Sequence, residues 1–365
     1  MIVVISLQTN FQLTMRTQFL SCFFAGIFMT STLVAQKHKS SDYQIVSVAF
    51  YNFENLYDTI DDPEKNDEEF LPDGVKHYTG DVYKDKLHNL ASVISQLGTD
   101  NTPDGPAIIG TAEIENINVL KDLAKQPAIA SRNYQPILIE GPDYRGVDPG
   151  LLYNPKYFTP IKSTSIFVPI KRDGDTSYTR DILYVKGLLL NELVHIFVNH
   201  WPSRRGGEDA TIPLRAAAAT ICREVIDSIL DANLEAKILV LGDFNDDPMS
   251  PSIKTILRAN KDMEGLNQAE LYNPFGVYYQ EGIGTLAWQD SWNLFDQVIM
   301  SHAWIDENQR GFFFSKAEVF NKPFLTQKTG NFRGYPFRTY IGNEYIGGYS
   351  DHFPVLTYFV KKITK

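Results

Sequence analysis

The 365-residue chain has only two cysteines, Cys22 and Cys222, which excludes a disulfide-stapled scaffold and a four-thiolate zinc site. Positive charge is also scarce. Lys and Arg number 34 against 44 Asp and Glu, a formal charge of −10, so the chain cannot coat nucleic acid through bulk charge. It can still grip a phosphate locally. Beyond residue 35 no apolar run approaches the ~20 residues of a bilayer span. There is no repeat of fixed period and no Pro/Gly/Ser-rich linker. What remains is ordinary globular material, 43% apolar and 21% charged, enough for one large domain or two smaller ones.

Residues 1–35 carry no acid and a single base, Arg16. An apolar, small-residue stretch from Phe19 to Val34 follows, then Ala35-Gln36. That order is what a secretory signal peptide requires, with Met15 as the better start. Export to the periplasm or beyond is the expectation, with no stable membrane insertion after cleavage. Cys222 is then a lone thiol, read as a small buried hydrophobe on the Ala-rich helix around it.

Apolar runs predict strands at 45–53, 107–112, 135–139, 151–153, 181–185, 193–199, 238–241, 297–301 and 353–360. Helical patterns cover 82–97, 210–231 and 251–258. Many strand connections are too short for a crossover helix, so the sheets should be mixed. A single domain is expected from about residue 42 to 362. The acidic run Asp61–Glu69 reads as a solvated loop without chemistry.

Several strands end in polar residues that do not suit a core. Asn52, Glu113, His200, Asp243 and Asn245 fall at or near carboxyl ends. Asp296 and the Ser350-Asp351-His352 run come just before strands, and antiparallel pairing can bring both sets to one edge. Two carboxylates ~4 Å apart repel by about 4 kcal/mol at an effective dielectric near 20, which a bound cation relieves. Carboxylate and amide oxygens favour a hard ion, Mg²⁺ or alternatively Mn²⁺, over zinc. Such an ion beside histidines and an Asp-x-Asn pair suits phosphate ester hydrolysis.

Phe50-Tyr51-Asn52, Thr111-Ala112-Glu113, Asn199-His200-Trp201-Pro202-Ser203, Gly242-Asp243-Phe244-Asn245-Asp246 and Ser350-Asp351-His352-Phe353-Pro354-Val355 occur in that order. In this the chain resembles the endonuclease/exonuclease/phosphatase superfamily, over nearly all of the sequence after the signal segment. The resemblance implies a four-layer α/β sandwich, two packed mixed sheets flanked by helices. It implies Glu113 as principal metal ligand, with Asn52 beside it and Asp351 reaching the same ion or a second. Asp243 would activate water and Asn245 would donate to the developing oxyanion. Asp296 would pair with His352, and His200 would lie across the phosphate as electrostatic stabiliser or leaving-group acid. Arg180 resembles an arginine of the deoxyribonuclease branch. The active-site tyrosine of some branches has no counterpart that can be placed here, nor has the carboxylate that pairs with the second histidine in deoxyribonucleases.

Arg204 and Arg205 follow the histidine loop, and Arg145 precedes the 151–153 strand; all three are candidates for gripping substrate phosphate. Trp201, Trp288 and Trp292 could stack on a base or ring, but aromatics of that kind are more often core. No P-loop or His-Glu-x-x-His is present, and Gly348-x-Ser350 lacks the rest of a nucleophile elbow. The expectation is a secreted divalent-metal phosphoesterase, first a nuclease-type phosphodiesterase acting on nucleic acid. The alternatives are a phosphatase or phospholipase C-like hydrolase of inositol phosphates or sphingolipids, and a catalytically idle surface-binding relative.

Overall fold

The computed structural model describes residues 43–172, 174–307 and 311–363; residues 1–35, where a signal peptide is expected, lie outside the described residues. In chain order the principal strands are β1 (Tyr43–Leu56), β2 (Ile108–Ile114), β3 (Gln135–Leu138), β4 (Asp148–Tyr153), β5 (Phe158–Ile166), β6 (Ile182–Leu189) and β7 (Glu192–His200). They continue with β8 (Lys237–Asp243), β9 (Ala259–Asn260), β10 (Leu271–Tyr272), β11 (Asp296–Ser301), β12 (Phe313–Val319) and β13 (Val355–Lys362). The helices are α1 (Gly80–Ile94), α2 (Ile117–Ala124), α3 (Glu208–Ala232) and α4 (Phe275–Gln280).

One sheet has six strands in the order β12-β13-β1-β2-β4-β3, the other seven in the order β9-β10-β11-β8-β7-β6-β5. Both are mixed. β1 runs parallel to β2 and antiparallel to β13; β8 runs parallel to β7 and antiparallel to β11. Successive side chains of a strand face opposite ways. Leu239 and Leu241 of β8 and Val194, Ile196 and Val198 of β7 enter the core shared with the six-stranded sheet. Ile238, Val240 and Phe197 face the other way, against Leu214, Ala218, Cys222 and Ile226 of α3. Buried residues of α1 and α2 join the first core. This is the expected sandwich, two mixed sheets with flanking helices.

Gly110 lets the two sheets approach. A Cβ built there would overlap the Leu241 methyl and press on Phe50 and Val198. Cys222 is buried and free, with its thiol pushed up by burial.

All nine expected strands are present, with shifted ends. β5 and β12 lacked a sequence signal because each is the edge strand of its sheet, half exposed and without an apolar run. The expected helix at 251–258 is a single wide turn, Ser252–Ile256. α2 and α4 are short and were not anticipated.

Candidate active site

The register of the seven-stranded sheet builds the first half of the site. Asp243, the last residue of β8, pairs with His200 on parallel β7 and with Asp296 on antiparallel β11. The three side chains therefore share one row at the sheet edge. His200 Nε2 lies 3.7 Å from Asp243 Oδ2. His352 Nδ1 lies 2.7 Å from Asp296 Oδ2, and its Nε2 is 3.9 Å from Asp243 Oδ2.

The six-stranded sheet supplies the other half. Asn52 of β1 donates from Nδ2 to Asp243 Oδ2 at 3.0 Å, bridging the two sheets. Glu113, at the end of β2, lies with Oε1 3.8 Å from His200 Nε2, while Oε2 accepts from the Asn55 backbone at 2.9 Å. Ser350 Oγ donates to the Asn52 carbonyl, which fixes the Asp351-His352 segment against β1. Glu54, Asn55, Glu113 and Asn245 all have positive φ, between 49° and 62°. Left-handed conformations at non-glycine residues cost energy and gather at functional sites, and these four cluster here.

The two histidines are driven apart in charge. Burial works against the His352 imidazolium, but the carboxylates of Asp296, Asp243 and Asp351 together outweigh it and hold the ring protonated well above the usual histidine range. His200 is pushed well below that range, first by burial and then by Arg180, Arg145 and His352. Its Nδ1 has no hydrogen-bond partner among the described residues, and the carboxylates of Asp243 and Glu113 approach its Nε2 no closer than 3.7 Å. Asp243 is pushed up to about 6, chiefly by burial, with His352 opposing and Asp296 and Glu113 adding. Groups with opposed environments mark acid and base roles.

Two residues of the site escaped the sequence. Arg338 donates to Asp351 Oδ2 at 3.0 Å and to Glu54 Oε1 at 3.3 Å. Glu54 is buried and raised to about 7, by burial and then by Asp351. A charged residue inside an otherwise buried strand was the available signal for Glu54. Arg338 sits in a long irregular loop where no motif marks it.

The phosphate-gripping candidates separate. Arg204 donates to the Asn245 carbonyl and pairs with Asp246, Asp247 and Glu208 over the Phe295 ring, so it holds the loop after β8. Asp246 also takes Arg215 and Ser252, which gives the second half of that acidic motif a structural task. Arg145, Arg180 and Arg205 line a neighbouring cavity. Arg180 is itself anchored, donating to the carbonyls of His200 and Trp201. Trp201 is core, whereas Trp288 is exposed and Trp292 stacks on Phe353.

A family model of the endonuclease/exonuclease/phosphatase family matches residues 47–361. The chain belongs to that family. No curated protein matches it. Among solved structures, a humanized D. rerio TDP2 carrying 14 mutations is 16% identical with a TM-score of 0.52, covering 86% of this chain and 98% of its own. A Bacteroides thetaiotaomicron mannosyl-6-phosphatase is 16% identical with a TM-score of 0.51, covering 86% and 99%. D. rerio TDP2 complexed with a single-strand DNA product is 15% identical with a TM-score of 0.51, covering 86% and 98%. At these identities the likeness is one of fold.

Membership places the chain among metal-dependent phosphate-ester hydrolases, and its donors suit a hard divalent cation. Asp243, Asp296 and His352 offer ligand atoms within 4.8 Å of one another. Asp296 and His352 are already hydrogen-bonded together, however, so that trio is better suited to handling protons. Glu113 Oε1 and Asp351 Oδ1 differ. Among the described residues neither oxygen accepts a hydrogen bond, and each has a histidine nitrogen at 3.8–3.9 Å. Hard oxygens in carboxylate surroundings fit Mg²⁺ or Mn²⁺. Glu113 would hold such an ion, with Asp351 and the Asn52 amide beside it.

Proposed function

We propose that this member of the family is an exported, Mg²⁺-dependent phosphodiesterase of nuclease type, with Mn²⁺ able to substitute. The single observation that supports it most is the Asp243 carboxylate in register between His200 and Asp296, with a charged His352 on one side and a neutral His200 on the other. The signal-like segment 1–35 supports export.

In this reading Asp243 orients a water and takes its proton. Its pKa near 6 suits a base that works close to neutrality. The Asn245 amide is fixed by donating to the Trp201 carbonyl at 3.0 Å, and Nδ2 keeps a second hydrogen for an oxyanion. His352, held by Asp296, presents a positive Nε2 to the phosphate and stabilises the charge that develops there. Neutral His200 acts through Nε2 as a hydrogen-bonding group rather than as a standing cation. A bound divalent cation would supply polarisation of a non-bridging oxygen and steady the leaving oxygen.

The test is a substrate panel with the purified protein: plasmid DNA, single-stranded DNA, RNA, sphingomyelin, inositol phosphates, a sugar phosphate and a bis-aryl phosphate. Turnover of a nucleic acid or the bis-aryl ester, abolished by EDTA and by Asp243→Ala, is the expected result. Activity surviving both treatments overturns the mechanism. Turnover of the lipid, inositol or sugar phosphates alone overturns the nuclease assignment.

A further inference from the structure

The inference below rests on the phosphoesterase reading and names the part of the substrate that the site selects. Beside the row of His200 and Asp243 lies a cavity of about 370 Å³. Its lining is unusual in a chain of net charge −10, with Arg145, Arg180 and Arg205 against a single carboxylate, Asp143. Asp143 is buried and already engaged, 3.4 Å from Arg180 Nη1 and 3.7 Å from Arg145 Nε.

The three arginines are held differently. Arg180 is buried, and all three of its nitrogens are committed, two of them to the carbonyls of His200 and Trp201. It forms the floor and ties the cavity to the histidine loop. Arg145 is partly exposed; its guanidinium feels the carboxylates of Glu113 and Asp143, of which Asp143 lies 3.7 Å from Nε, and among the described residues its side chain donates no hydrogen bond. Arg205 is exposed, and among the described residues nothing engages its guanidinium. The cavity therefore has a fixed base and two guanidinium groups with free donors, the forked geometry that takes a phosphate.

Two aromatic rings complete it. Tyr144 is 57% exposed and Tyr178 55% exposed, and Phe167 packs beside Tyr178 with ring centroids 6.4 Å apart. Neither tyrosine is buried in the core, so each leaves a face for a planar partner. Stacking on exposed rings with arginines tracking the backbone is how single strands are held. The volume accommodates one nucleotide-sized unit and not a duplex.

We infer that this cavity seats one nucleotide of a single-stranded nucleic acid beside the phosphate being cleaved, its base on Tyr144 and Tyr178 and its outer phosphate on Arg145 and Arg205. Arg180 and Asp143 are positioning residues in this arrangement.

The experiment measures fluorescence anisotropy of a short labelled oligothymidylate on Asp243→Asn protein in Mg²⁺, where turnover is silenced. The same probe in duplex form and a sugar phosphate competitor are run alongside. The single strand should bind more tightly than the duplex and resist the sugar phosphate. Tyr144→Ala with Tyr178→Ala should weaken it about fivefold or more, and Tyr178→Phe should not. Arg205→Gln should lower the salt slope by about 0.7. Both tyrosines and Arg205 are exposed, so the variants leave the core intact. On otherwise unmodified protein the tyrosine pair should raise KM for single-stranded DNA and leave bis-aryl phosphate turnover unchanged.

Equal binding of duplex and single strand, ready displacement by the sugar phosphate, or indifference to the tyrosine substitutions overturns the inference. The two readings fail separately. Loss of strand binding with bis-aryl turnover still dependent on metal and Asp243 removes only the cavity assignment. Turnover independent of metal and Asp243 removes the hydrolase reading itself.

Discussion

Replacing Asp296 by Asn tests how the site keeps His352 charged. Asp296 Oδ2 lies 2.7 Å from His352 Nδ1, and Asp243 Oδ2 lies 3.9 Å from Nε2. At an effective dielectric near 20, those separations correspond to gross attractions of about 6 and about 4 kcal/mol. Burial of the imidazolium opposes both. Asp296→Asn removes the larger attraction while keeping side-chain size. Asp243 and Asp351 alone then oppose the burial, so the His352 pKa should fall. Turnover at pH 7 should drop about 10²–10⁴-fold, the range for a displaced acid–base group. The assay is paired: the pH–rate profile, and the His352 imidazole resonances followed by NMR titration. The expected result is a His352 that gives up its proton at lower pH in the variant than in the parent. A variant within tenfold of parental activity, or a His352 titration that does not move, refutes the reasoning.

Further outcomes follow from other parts of the structure. Arg338→Ala frees Asp351 and leaves Glu54 buried without its guanidinium, so half-maximal activity should need about 10–100-fold more Mg²⁺, read from a metal titration. Glu113→Gln should remove the rise in Tm that saturating Mg²⁺ gives the parent, about 2.7 kcal/mol at a hundredfold excess over Kd. Gly110→Ala drives a methyl into Leu241 between the sheets and should cost about 1–3 kcal/mol in denaturant unfolding. His195, on β7 with Tyr184 OH 2.8 Å from Nδ1, is lowered to about 4 by burial and then by Lys186. The unfolded chain binds that proton below about pH 6.5 and the folded one does not, so stability should fall as pH drops from 6.5 toward 4. His195→Gln should flatten that part of the Tm–pH curve.

The polar residues at strand ends were legible because the surrounding strands are so apolar. Asp243 follows Ile238–Leu241, and nothing in a core would place a carboxylate there unless the strand end opened on a site. What was not legible is which neighbours work on substrate and which hold the frame. Arg204 and Arg205 are adjacent in sequence, yet one is bound by three carboxylates and the other, among the described residues, has no partner. That difference depends on where Asp246, Asp247 and Glu208 fall in space. Glu54 and Arg338 meet across 284 positions, a pairing that no local pattern encodes. Edge strands β5 and β12 were lost for the opposite reason, since partial exposure removes the apolar periodicity that marks inner strands.

In the proposed mechanism, strand ends from both sheets gather around one hard divalent cation. Anomalous diffraction from a crystal soaked in Mn²⁺ examines it most directly. The expected result is a peak bonded to Glu113, with Asp351 and Asn52 around it and Asp243 and His352 facing it. A fully occupied peak elsewhere on the molecule, with Glu113 left unliganded, would contradict it.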